Sequence, residues 1–148
     1  MSRRSDILTG FQTRLEAILI AGGFVTDAGE NVHLGEAPSL GPDDPDIAVV
    51  IIVNEDSVTY QGEQVMVNLP LTLQAIAKAD LEEPYLAAEQ VLGDIKKAVE
   101  LADRTLGGLV KRQIQRGPTR TLPREPGSTT VGVGITYIVP YTELWGTP

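Results

Sequence analysis

The sequence predicts an α+β fold, a mainly antiparallel sheet with two helices packed on one face and an extended hairpin arm. Three observations carry that reading. Two amphipathic segments have the helical period, a run of seven apolar residues at Ile47–Val53 has strand length, and a C-terminal stretch alternates strictly between two faces. With 148 residues, 42% of them apolar and 22% charged, the chain fits one domain spanning 1–148, with 112–130 as the extended arm.

Asp6 to Ala21 reads as the first helix: Ile7, Leu8, Phe11, Leu15, Ile18 and Leu19 form one stripe, Ser5 is placed to cap its start, and Gly22-Gly23 stop it. Asn31 to Leu34 has the character of a short strand. Gly35 to Asp46, GEAPSLGPDDPD, is an acidic loop by its Pro, Gly and Asp content. The β-branched run Ile47–Val53 is expected to be a central strand covered on both faces. Val65 to Ala79 alternates, with Leu69, Leu71, Leu73, Ala75 and Ala77 on its apolar face, and should pair antiparallel with that run. Asn54 to Glu63 joins the two through a turn at Gln61-Gly62. Glu82 to Ala102 is the second helix, with Pro84 in its first turn and Tyr85, Ala88, Leu92, Ile95, Val99 and Ala102 along the buried stripe.

The last third is the most informative. Val131, Val133, Ile135, Tyr137, Val139 and Tyr141 share one face of a strand, and Thr130, Gly132, Gly134, Thr136, Ile138 and Pro140 share the other. Before it, Arg112, Arg116, Arg120 and Arg124 recur every four residues, but Pro118, Pro123 and Pro126 forbid the helix that such spacing would otherwise imply. An extended segment gives the four arginines a common parity and little apolar surface of its own to bury. They are therefore candidates for contacts with another subunit or molecule, or else a solvated edge. Tyr141, Leu144 and Trp145, so near the chain end, are expected to cover the sheet edge or a neighbour, with an ordinary place in the core as the alternative.

Charge supports the contact reading. The net charge is −8, yet Lys111 to Glu125 holds five cations against one anion, a local +4, and the remaining 133 residues carry −12. An acidic body with a basic arm suits head-to-tail association of copies. Chemistry is poorly supplied by comparison. The chain has no Cys and a single histidine, His33, so thiol catalysis, disulfides and a multi-histidine metal site are excluded, and a triad through Ser39 or Ser57 has nothing but composition behind it. Asp43, Asp44 and Asp46 lack calcium-loop spacing and read as a turn. Gly132-Val133-Gly134 lies inside a strand with no helix behind it, so it is not a phosphate loop; close backbone approach is the better account. An acidic chain with 5% aromatics is not a sequence reader of nucleic acid. MSRRSDILTGF has no apolar run of signal-peptide type, and no stretch has membrane-spanning length.

The order of these elements, with LADRTLGGLVKR (Leu101 to Arg112) and TRTLPREPGSTTVGVGITYIVPYTELW (Thr119 to Trp145), resembles the tail terminator, or tail completion, proteins of long-tailed bacteriophages and prophages. The helix running into GGF, the apolar strand near residue 50 and the helix DLEEPYLAAEQVLGDIKKAVEL extend the resemblance over nearly the whole chain. The resemblance implies a non-enzymatic structural protein without cofactor. It would form a homohexameric ring on the head-proximal end of the tail tube, stop polymerisation there and offer a surface to the head connector. Its partners would be itself, the tail tube protein and the head-tail connector protein. Genome DNA would pass through the ring without specific recognition, and the location would be the virion, after assembly in the host cytoplasm. Another neck protein, a monomeric adaptor or a small enzyme are the competing readings.

Overall fold

The computed structural model describes residues 2–148. Its frame is a six-stranded sheet. Strands β1 (Val32–Leu34), β2 (Ile47–Val53), β4 (Gln64–Lys78), β6 (Thr130–Leu144) and β5 (Gln115–Leu122) lie side by side in that order, and β3 (Ser57–Gln61) pairs with β4 beyond the end of β2. Only β1–β2 is parallel; the other pairings are antiparallel. Two helices, α1 (Arg3–Glu16) and α2 (Pro84–Glu100), cover one face, as the sequence predicts.

The core follows from strand parity. Leu69, Leu71, Leu73, Ala75 and Ala77 of β4 lie beside Val131, Val133, Ile135, Tyr137 and Val139 of β6, and all face the helices. Ile7, Phe11 and Leu15, four residues apart on α1, close over them together with Ala88, Leu92, Ile95 and Val99 of α2. The opposite face is covered at one end alone, where Leu40 of the acidic loop packs on Ala48, Val50 and Ile76. That small cluster is why β2 is apolar on both sides. Lys78 holds the loop down, donating to the Asp44 carbonyl at 2.8 Å and pairing with Asp46 at 3.3 Å.

Four local expectations need correction. The first helix is capped by Ser2, whose Oγ accepts from the Ser5 amide, and it ends at Glu16 instead of Ala21. Tertiary hydrogen bonds explain the early end: the Ile18 carbonyl accepts from the Gly29 amide at 2.8 Å and the Ile20 amide is taken by Asp27 at 2.7 Å, so both groups are withdrawn from a further helical turn. The segment expected only to connect β2 with β4 contains β3, a fully exposed strand. In the second helix, Tyr85 and Ala102 lie outside the buried stripe. Asp94 lies inside it at 3% exposure.

Asp94 accepts hydrogen bonds from the Val25 amide, the Thr26 amide and the Thr26 hydroxyl, at 3.1, 2.7 and 2.7 Å. A carboxylate within an apolar stripe is thereby matched to donors that the turn after α1 would otherwise leave unpaired. Replacing it by alanine strands those donors, so Asp94→Ala should cost about 3 kcal/mol of stability in urea unfolding, with Asp94→Asn losing less.

Candidate assembly surfaces

The proline-broken basic segment is in large part sheet. Residues 115–122 pair with β6 as its edge strand, leaving 123–129 as the hairpin loop. Between Arg116 and Thr119 the register slips. Gly117 makes this slip sterically possible, because a Cβ there would lie 2.7 Å from the Thr136 carbonyl oxygen. The slip breaks the common parity expected of the arginines. Arg116 stands opposite Tyr137 on the helix face, and Arg120 stands opposite Gly134 on the other.

Their environments differ accordingly. Arg116 reaches Glu100 of α2 through Nε at 3.0 Å and Nη2 at 2.7 Å, a bidentate pair that also receives the Tyr137 hydroxyl at 2.7 Å. Burial works against ionisation of Glu100, but the hydrogen bonds from Arg116 and Tyr137 prevail and hold its carboxyl below the usual range. Burial, reinforced by the bond to Glu100, pushes the Tyr137 phenol far above its ordinary value. Arg116 is thus engaged inside its own chain. Arg124 donates to the Ser128 carbonyl at 3.2 Å and steadies the hairpin loop. Arg112 and Arg120 make no salt bridge among the described residues and are exposed. Arg112 has a φ of 68°, a left-handed conformation unusual for a residue with a side chain.

Arg120 borders a shallow groove of about 330 Å³ on the open face, with Ile52, Thr72, Thr136 and Leu122 among its walls. Its floor is polar and internally bonded: Asn54 donates to the Thr72 hydroxyl at 2.8 Å, and that oxygen lies 3.1 Å from the Thr136 hydroxyl. The close backbone approach expected at Gly132 and Gly134 is not what the two provide: a Cβ at Gly132 would crowd the Leu122 side chain at 3.1 Å, and one at Gly134 would meet only ordinary contacts.

The C-terminal aromatics also separate. Tyr141, at 3% exposure, belongs to the helix-side core. Trp145 is 63% exposed and stacks on Tyr60 of β3, with ring centroids 5.2 Å apart and planes 9° from parallel. Val58, on the same face of β3 as Tyr60, and Leu144, on the other face of β6, are also exposed at this end of the sheet. Sequence reasoning misses Tyr60 because its segment has the composition of a connection; alternation of Val58 and Tyr60 across a tight turn from Val65 is the signal that could have found it.

Groups considered for chemistry are occupied locally. His33 Nε2 lies 2.6 Å from Asn31 Oδ1, and Asp44 accepts from the Gly41 amide at 2.7 Å. Among the described residues no cluster of acids and histidine is arranged to hold a metal ion, and no helix is long and apolar enough to cross a membrane.

Comparison with known proteins separates sequence from shape. No family model matches the chain, and no curated protein matches it. A solved structure does: a chain from the structure titled virion of native gene transfer agent (GTA) particle superposes with a TM-score of 0.59 at 14% identity. The match covers 90% of this chain and 92% of that one. The two share a fold. The correspondence extends over nine-tenths of each chain, more than a small shared fragment would give.

Two measurements check the Arg116–Glu100–Tyr137 cluster. Glu100 has a folded pKa below its unfolded value of about 4.5. Its contribution is therefore complete above that value and lost as pH falls through the lower folded one. Glu100→Gln should flatten the acid-side decline of stability, and Arg116→Ala should lower stability only slightly because its guanidinium stands in solvent. In alkaline absorbance titration, two of the four tyrosines, the buried Tyr137 and Tyr141, should stay protonated past pH 10, and Tyr137 until the fold opens.

Proposed function

We propose that the chain is a structural protein of a phage-like virion that forms a ring on the head-proximal end of the tail tube. The ring ends tube polymerisation and presents the surface to which the head connector attaches. The observation that carries this reading is the near end-to-end likeness to a chain of a gene transfer agent virion, reached without detectable sequence relationship in curated proteins. It joins the resemblance of the element order and the C-terminal segment to tail terminators, which the sequence carries independently.

Surface chemistry is consistent with such a part. A net charge of −8 disfavours adhesion to the phosphate backbone of DNA threading the ring. The exposed residues of interest, Arg112, Arg120, Tyr60 and Trp145, are suited to contact between macromolecules. They lie on separate edges of the sheet and do not converge on a reactive group.

The decisive experiment incubates the purified chain with purified tail tubes and follows native mass spectrometry and images of tube ends. A sixfold species, or density capping one end with loss of tube elongation, is the expected result. A chain that remains monomeric and leaves the tubes free to elongate removes the proposal.

A further inference from the structure

The two edges of the sheet are unlike in a way that selects a mode of self-association. Across the stretch β3-β4-β6-β5, the outer strands are separated by three strand spacings, about 14 Å. On the β5 side, Lys111 to Glu125 carries +4, one charge of which is met by Glu100 through Arg116. On the β3 side, Asn54 to Gln64 carries Glu55, Asp56 and Glu63 and no Lys or Arg, a local −3.

The β3 side is also where the aromatic pair stands. Tyr60, Val65 and Glu143 form one row across three strands on the same face, and Trp145 stacks on Tyr60 while its amide donates to the Glu63 carbonyl. Two exposed aromatic rings with carboxylates beside them make a surface that takes guanidinium groups, through the ring faces and through charge together. Within the chain, Arg4 is already spent on Asp56 at 3.0 Å, and Arg3 borders the groove containing Glu143. Glu55 and Glu63 make no salt bridge among the described residues.

The opposite edge offers the matching groups. β5 is unsuited to backbone pairing with another strand, because Pro118 and the register slip interrupt its outer edge and arginines flank it. Contact there must run through side chains, and Arg112 and Arg120 make no salt bridge with a carboxylate among the described residues of their own chain. The left-handed backbone at Arg112 points the same way, since glycine would be cheaper there and a strained arginine needs a reason of its own.

From this arrangement we propose that the Arg112–Arg120 edge of one copy docks on the Tyr60–Trp145 surface of a second copy. A symmetric dimer through either edge would set like charge against like, so the contact is head-to-tail and propagates until it closes. The proposal deepens the ring reading by naming its two contacting surfaces. It can also fail separately from that reading.

Mixing charge-reversed chains tests it. Arg112→Glu with Arg120→Glu removes the net positive charge of the β5 edge and puts carboxylates at the proposed contact, and Glu55→Lys with Glu63→Lys turns the β3 edge basic, so each variant alone should lose roughly tenfold or more in self-association by sedimentation velocity. The mixture should recover assembly, with the two variants alternating. Trp145→Ala should weaken assembly without loss of Tm, and Arg112→Gly should weaken it while Tm holds or rises, an outcome that a purely structural role for Arg112 would not give. Wild-type chain that stays monomeric at all concentrations, reversals without effect, or a mixture that does not recover overturns the contact. If assembly behaves as expected but tube ends stay uncapped, the contact stands and the proposed function falls. Capped tubes with every reversal tolerated would overturn the contact and leave the proposed function standing.

Discussion

The antiparallel pairing of β4 with β6 is the constraint on which the rest depends. Each strand runs 15 residues, from Gln64↔Leu144 to Lys78↔Thr130, about 50 Å of uninterrupted ladder. One register error anywhere along it would turn Leu69, Leu71 and Leu73, or Ile135 and Tyr137, out of the core. Both helices pack against this pair, β2 and β3 extend it on one side, and β5 extends it on the other.

The length of that ladder also creates the surfaces of interest. Two helices of 14 and 17 residues, about 21 and 26 Å long, do not extend over the sheet's edge, so the core reaches Val65, Val67 and Tyr141 while Val58, Tyr60, Leu144 and Trp145 around them stay exposed at one end. Toward the other end the acidic loop covers part of the open face through Leu40, and the polar groove beside Arg120 is what remains between. Burial of one face, in a chain of this size, fixes which apolar side chains are left for contact with other molecules.

Likeness of shape with little identity fits this division of labour. The match to the gene transfer agent virion chain at 14% identity requires only that apolar and polar positions keep their periods along the same elements. Specific contacts, such as Arg116 with Glu100 and Tyr137, or Asp94 with the turn at Thr26, stabilise this chain's version of that shape. They can be replaced by other pairs without altering topology.

By itself the sequence determined the α+β class, both helices, the long alternating strands and the helix-facing residues, because periods of two and 3.6 are local properties of the chain. Its charge separation was equally legible, since it follows from counting. Only the tertiary structure decided where α1 stops, because the carbonyl of Ile18 is claimed by Gly29 from outside the helix. It likewise decided that Asp94 is buried with three donors around it, and that Tyr141 is interior while Trp145 is not. The arginines show the division most clearly. Four equally spaced arginines predict one face, but a slip against Thr136 at Gly117 sends Arg116 to Glu100 and Arg120 to the far side, since strand parity is set by the partner strand and not by the spacing along the chain.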